Sequence, residues 1–207
     1  MLKVVEDPKA IVRRGYDLVS RAYRADDADD GQYGPWLDLL EKRTPLGAAV
    51  LDLGCGCGVP VARRLARRYA VTGVDLSPVQ VERARGLVPG GSFMCADMST
   101  VKLPTASFDA VVCLYALIHV PLSEQPVILR SVATWLRTGG LFMATLGHGA
   151  WTGVEKDWLG VKGGDMWWSH ADAETYRRWL SEAGLVVERE AFVPEGAGGH
   201  TLFVATR

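Results

Sequence analysis

Apolar positions follow two rhythms along this chain. Short runs such as Val50–Leu53, Val71–Val74 and Phe108–Val112 read as strands, and three- and four-residue spacings between them read as helices. From Asp7 to about Lys42 the pattern is helical and rich in polar residues. Val12, Tyr16, Val19 and Tyr23 recur at helical spacing, and Trp36, Leu37, Leu39 and Leu40 predict a second short helix ending before Pro45. Pro60 and the Val61/Leu65 face predict a crossover helix to about Tyr69; Ser77-Pro78, a cap followed by proline at the first helical position, starts another through Arg85. Further strands are expected near 91–95, 108–114 and 140–146, with a helix over about 123–137. Ala171 to Ala183 predicts a helix closed by Gly184. Leu185–Val193 and Thr201–Thr206 then flank a turn, Pro194 to Gly199, that is too short for a parallel crossover and forces an antiparallel hairpin. The alternation predicts an α/β, doubly wound, mostly parallel sheet with right-handed crossovers.

Composition narrows the function classes. The chain has 207 residues, 48% of them apolar and 23% charged, with a formal net charge of −1. One domain with a single core is expected over 1–207. Arginine pairs such as Arg63-Arg64 and Arg67-Arg68 read as a solvated helix face, and the basic footprint of a nucleic-acid modifier is missing. The sequence shows no leading segment of signal-peptide form and no apolar stretch of membrane length, so no membrane partner is expected and a cytoplasmic enzyme is the default. Cys55, Cys57, Cys95 and Cys113 have neither disulfide nor zinc spacing, and no metal is expected. The acidic group Asp26, Asp27, Asp29 and Asp30 reads as a solvated loop.

The chemistry begins where the first strand ends. Residues 50–58 read Val-Leu-Asp-Leu-Gly-Cys-Gly-Cys-Gly, with glycines at alternate positions, and the second strand closes on Asp75. A glycine turn admits backbone close to a ligand, and an acid at the tip of the next strand is placed to accept from ribose hydroxyls. The dinucleotide fingerprint has the different spacing G-x-G-x-x-G, and an acid inside the strand, Asp52, would repel a pyrophosphate and welcome an amino group. A ribose at one end and an ammonium at the other describe S-adenosylmethionine. On these residues the chain resembles the class I S-adenosylmethionine-dependent methyltransferases, tightly over about 45–147, with Asp52, Gly54, Gly56 and Gly58 in the first motif. Asp97 within Met94–Met98 falls at the family's adenine-binding acid, Ser107–Val112 at its fourth strand and Leu136–Leu141 at its turn into the fifth.

The resemblance implies a Rossmann-like methyltransferase fold of seven strands with an antiparallel final strand. It places Asp75 on the ribose, Leu76 against the adenine, Asp97 and Met98 at its edge, and Leu114 with Tyr115 on the methionine side. In relatives of the ubiquinone- and menaquinone-methylating type a tyrosine-bearing N-terminal segment covers the cofactor, which brings in Tyr16 and Tyr23. The organisation expected is a helical cap over 1–44, a cofactor core over 45–147, a lid-like loop over 148–170, and a helix with the terminal hairpin over 171–207.

Ligands of open parallel sheets bind outside the carboxyl ends of the strands, and all four histidines fall in segments leaving that edge. His119, after the fourth strand, is the first candidate for a general base and His170, before a helix, the second; His148 and His200 are expected to line the pocket. Trp151, Trp158, Trp167 and Trp168 lie within eighteen residues punctuated by glycine, which reads as a binding loop with aromatic walls for a flat or cationic acceptor. Together with Tyr115 they form the candidate acceptor site. Methyl transfer to oxygen or nitrogen of a small aromatic or apolar metabolite is the function this predicts. Two other readings compete: a protein that holds S-adenosylmethionine or S-adenosylhomocysteine without methylating, and a Rossmann-type NAD-binding oxidoreductase, which the missing third-position glycine disfavours.

Overall fold

A computed structural model describes residues 6–207. A seven-stranded sheet forms its centre, built from β1 (Ala49–Leu53), β2 (Ala70–Asp75), β3 (Ser92–Cys95), β4 (Phe108–Cys113), β5 (Leu136–Gly147), β8 (Val186–Glu195) and β9 (Gly198–Thr206). Its order is β3-β2-β1-β4-β5-β9-β8, with β9 antiparallel to both neighbours and the pairs β1–β2, β1–β4, β2–β3 and β4–β5 parallel. The strand order reverses between β1 and β4, and their carboxyl ends open the crevice in which such sheets bind ligands.

Strands β1 and β4 are apolar except for one acid each, Asp52 and Asp109, because both faces are covered. One face packs under α2 (Gly34–Arg43), α3 (Val61–Leu65) and α4 (Pro78–Leu87), with Leu37, Leu40, Leu65 and Val81 fully buried. The other packs under α5 (Gln125–Trp135) and α6 (Ala173–Glu182) around Leu129, Phe142, Tyr176 and Phe203. Helix α1 (Pro8–Tyr23) lies apart. It starts at Asp7, whose side chain accepts from the Lys9 N–H, and buries Ile11, Val12, Gly15 and Val19, yet among the described residues none of its side chains joins either core cluster. Among the described residues no helix is long and apolar enough to cross a membrane.

Several elements differ from the sequence expectation. Helix α3 is a single turn, because beyond Leu65 the N–H groups of Arg67 and Arg68 bond three residues back rather than four. The final hairpin turn is tighter than Pro194–Gly199, since β8 runs through Glu195 and β9 begins at Gly198. The stretch expected as an irregular loop over 148–170 is instead an antiparallel pair, β6 (Trp151–Glu155) and β7 (Met166–His170), joined by an arm over 156–165. That arm lies directly on α1. A Cβ at Gly15 would sit 2.3 Å from the Asp165 carbonyl oxygen, and one at Gly164 would sit 2.6 Å from a Val19 methyl. Helix and hairpin thus form one continuous roof over the carboxyl edge of the sheet.

Candidate active site

The turn after β1 builds the floor of a cleft. Gly54 has φ +82° and leaves no room for a side chain, since a Cβ there would lie 2.1 Å from that of Ala116. Gly56, with φ +53°, borders the cleft, and a Cβ on it would meet no atom within 4 Å. Gly58 faces elsewhere, packing towards Val88 and Ala84 beneath the cleft, so its role is to seat α4. The turn is held by Asp75, whose Oδ2 accepts from the Gly56 N–H at 2.8 Å and Oδ1 from the Ser77 N–H at 2.9 Å. Leu76, Asp97, Met98, Leu114, Tyr16 and Tyr23 line the same cleft.

Asp52 lies in a hollow adjoining the cleft, which it shares with Gly54, Gly56, Leu114 and Arg24. It is 3% exposed, and its Oδ2 has no hydrogen-bond partner among the described residues. Burial, and then the charge of Asp75, push the Asp52 carboxyl up to about 7. Asp75 is pushed up to about 6 by burial, against the pull of the Ser77 and Gly56 N–H groups, with Asp17 adding to the rise. A buried carboxyl and a half-buried one, neither paired with a cation among the described residues, beside an open glycine, suit a ligand that brings an ammonium and hydroxyl donors. They oppose a pyrophosphate. S-adenosylmethionine therefore fits the residues present.

Next to the cleft is a chamber of about 150 Å³, the size that elsewhere takes one benzene ring. Its walls are Tyr16, Tyr23, Tyr33, Tyr115, Trp158 and Trp168, with His119, Arg24 and Glu195 between them. Trp158 reaches in from the arm, its ring 5.7 Å from Tyr16 and 5.4 Å from Tyr23. Tyr115 is held at φ +56°, its N–H donating to Thr145 Oγ1 at 2.5 Å, while its buried hydroxyl finds no partner among the described residues. Trp168 Nε1 is likewise buried and unpaired among them. These two donors favour a ligand carrying an acceptor atom.

His119 ends a short 3₁₀ turn, Leu117–His119, and is 5% exposed. Its Nδ1 lies 2.7 Å from the Trp167 carbonyl oxygen, which only accepts, so Nδ1 carries the proton. Nε2 is then free to accept from the Tyr16 hydroxyl at 3.0 Å. Burial lowers the imidazole to about 4, the Trp167 carbonyl opposing and His200 and His170 adding slightly. It is neutral at physiological pH, with its lone pair directed at Tyr16.

The remaining candidates sit further out. His148, Trp151, His170 and His200 line a separate open cavity of about 580 Å³ between the β6–β7 root and the final hairpin, with Trp168 and Glu195 as the wall shared with the chamber. His170 donates from Nδ1 to the Gly149 carbonyl at 2.7 Å, and His148 Nδ1 pairs with Thr201 Oγ1 at 3.1 Å. His200 Nδ1 is 3.2 Å from Glu195 without hydrogen-bond geometry. His170 is therefore placed outside the chamber and away from the cofactor cleft. Trp167 lines neither chamber nor outer cavity; its carbonyl, not its ring, serves the site by fixing His119. Among the described residues no group of three or more His, Cys, Asp or Glu could hold a metal. Three charged side chains at the site carry no sequence signal: Lys9 beside Asp97 in the cleft, Arg24 over the Tyr23 and Tyr33 rings at 5.2 and 5.4 Å, and Glu195.

Residues 50–140 match the family described as a methyltransferase domain. The chain is 35% identical over 158 residues to a ubiquinone biosynthesis O-methyltransferase of Xylella fastidiosa, covering 63% of each protein, so it spans just under two thirds of that relative's length. It is 30% identical over 175 residues to the protein of the same name from Idiomarina loihiensis, covering 76% of this chain and 69% of that one. In structure it is similar to the magnesium protoporphyrin IX methyltransferase of Synechocystis with bound S-adenosylhomocysteine. That likeness has a TM-score of 0.74 at 21% identity and covers 97% of this chain and 100% of the other, a likeness of fold.

Proposed function

Because this chain belongs to the class I S-adenosylmethionine-dependent methyltransferases, we propose that it binds S-adenosylmethionine in the β1–β4 cleft and directs its methyl group to oxygen or nitrogen of a small aromatic or apolar metabolite. One observation carries this reading: Tyr16, Tyr23, Tyr115 and His119 line both the cleft and the aromatic chamber, so a single set of side chains bounds both reactants. Asp52 accepts from the ammonium, and Arg24 offers its guanidinium at the same end. Asp75 holds the ribose, Asp97 accepts from the purine amino group, and Leu76 and Met98 flank the base. When bound, S-adenosylmethionine supplies a methyl group already activated by its sulfonium.

The protein's own work is alignment, exclusion of water and removal of a proton. Alignment of two reactants is worth about 7–11 kcal/mol of barrier. An acceptor hydroxyl bonded to the Tyr16 oxygen gives its proton there as the Tyr16 proton passes to His119 Nε2. The resulting imidazolium keeps its Nδ1–H on the Trp167 carbonyl and its face towards Trp168, whose ring centre is 4.3 Å away. Both contacts favour the cation. His119 is thus a base reached through Tyr16.

Calorimetric titration with S-adenosylmethionine, S-adenosylhomocysteine and NAD, followed by transfer of labelled methyl to a panel of phenols and aromatic amines, tests the proposal. Micromolar binding of the first two ligands and a labelled product are expected. Cofactor binding with no product across the panel would leave a non-methylating S-adenosylmethionine-binding protein, and tighter binding of NAD would overturn the cofactor assignment.

A further inference from the structure

Lys9, in the first turn of α1, reaches across the cleft to the loop after β3. Its Nζ lies 2.7 Å from Asp97 Oδ2, 2.8 Å from Ser99 Oγ and 2.5 Å from Glu124 Oε2. The other oxygen of Asp97, Oδ1, accepts from the Ser99 N–H at 2.8 Å. Both carboxylate oxygens are therefore pinned, one by a cation from the cap and one by backbone. Each retains a lone pair for a ligand. A pinned, ionised carboxylate accepts and cannot donate. It matches a purine that offers an amino group at C6 and opposes one that presents a C6 carbonyl.

The attachment of α1 repeats this arrangement elsewhere. Asp17 accepts from the Ser77 hydroxyl at 2.6 Å, two residues after Asp75, and Tyr16 bonds His119. Three of the helix's side-chain bonds thus end on the loops after β2, β3 and β4, which surround the cofactor. Of the three, only the Lys9 bond ends on Asp97, the residue assigned above to the purine amino group. Resting on the cofactor assignment above, we propose that Lys9 is a positioning residue for base recognition: it holds Asp97 as a fixed acceptor selective for a 6-amino purine and joins that recognition to the seating of α1.

Burial raises the Asp97 carboxyl, but the bonds from Lys9 and Ser99 more than offset it and keep it below the usual carboxylate range. Without Lys9 only the Ser99 N–H still holds the carboxylate, through Oδ1, and under a bound base the released Oδ2 can take up a proton and serve a carbonyl. The partner charges are balanced for this purpose. Glu124 supplies the second anion, so one ammonium bridges two carboxylates, and Asp97 is not the sole counter-charge of Lys9.

The test compares S-adenosylhomocysteine with S-inosylhomocysteine by calorimetry on the wild type, Lys9→Met and Lys9→Arg, with hydrogen exchange across Pro8–Tyr23 as a second readout. The wild type is expected to prefer the adenosyl ligand by roughly 10–100-fold, the range for a hydrogen bond to a charged group. Lys9→Met should weaken S-adenosylhomocysteine about tenfold and the inosyl ligand far less, shrinking the preference, while Lys9→Arg restores part of it. S-adenosylhomocysteine should slow exchange in α1 of the wild type and fail to do so in Lys9→Met. Equal weakening of both ligands would reduce Lys9 to a tether for the helix, and an unchanged preference would overturn the proposal outright. Failure of the wild type to bind either ligand would instead sink the cofactor assignment on which the proposal rests.

Discussion

Asp52 is buried and Asp75 half-buried, and on the roles proposed for them cofactor affinity depends on pH. In those roles both act as ionised acceptors, one for the ammonium and one for the ribose hydroxyls. Their carboxyls sit at about 7 and about 6, so affinity for S-adenosylhomocysteine should rise between pH 5.5 and 7.5, by roughly tenfold or more. Asp52→Asn should flatten the upper part of that rise. The stability of the free protein runs the other way. Values raised above those of the unfolded chain favour folding at low pH, and that contribution is lost as pH climbs through 6 to 7. The melting temperature of the free protein should therefore fall over this interval while the gain on adding S-adenosylhomocysteine grows. Calorimetry at three pH values checks both trends, and a flat affinity would show that neither acid meets the ligand.

The Tyr16–His119 pair makes a second expectation at the same scale. For a neutral hydroxyl acceptor, His119→Ala should lower kcat by about 10²-fold with little effect on cofactor affinity. Tyr16→Phe should reproduce most of that loss, because the proton travels through its hydroxyl. For an acceptor already anionic at the assay pH both losses should shrink. If Tyr16→Phe kept full kcat on the neutral acceptor while His119→Ala did not, the relay would be wrong and the imidazole would act directly. His200→Ala, from the outer cavity, should act mainly on KM.

At the scale of elements, the roof depends on a close approach between α1 and the β6–β7 arm. Gly15→Ala places a methyl group against the Asp165 carbonyl, so helix and arm must part. Overpacking of this kind costs about 1–3 kcal/mol. Hydrogen exchange should quicken in α1 and across 151–170, with the protection of β1 and β4 unchanged. Faster exchange throughout the sheet would mean that the roof and the core are one cooperative unit.

The same elements mark how far the sequence could be read. β1 and β4 are legible because a strand covered on both faces is a nearly continuous apolar run, interrupted here only by Asp52 and Asp109. The hairpin is not: four of the five residues of β6 are exposed, so it lacks the alternation that marks a strand, and its support comes from a helix over 130 residues earlier in the chain. The site divides in the same way. Asp52, the glycines and Asp75 form a local motif whose spacing carries its chemistry. Lys9 is an ordinary lysine until packing sets it beside Asp97, 88 residues away. His170 and His119 look equivalent as residues leaving the sheet edge, and only the position of the Trp168 wall separates them.

For the whole molecule, the absence of α1 from both core clusters among the described residues predicts that the sheet stands without it. Deletion through Asp29 keeps Tyr33, Leu37 and Leu40 in the core. The shortened protein should retain its sheet by circular dichroism and a cooperative melt. Its melting temperature should be lower, because the guanidinium of Arg83 loses the carbonyls of Ser20 and Arg24 and the Asp26 carboxylate. Retention of S-adenosylhomocysteine should fall sharply. Loss of the cooperative melt would mean that α1 is needed to fold rather than to close.

Trp168 separates two spaces of different character, and this gives turnover a direction. The cofactor cleft lies under α1, while the chamber also borders the open cavity beside the final hairpin across Trp168 and Glu195. On the proposed assignment the acceptor has a way in past Trp168 and Glu195 that does not cross α1, whereas the cofactor is covered by that helix. Ordered traffic is then the expected outcome: the methyl donor arrives first, its product departs last, and at saturating acceptor the lifting of one helix sets the pace. In steady-state measurements S-adenosylhomocysteine should compete with the donor and inhibit non-competitively against the acceptor.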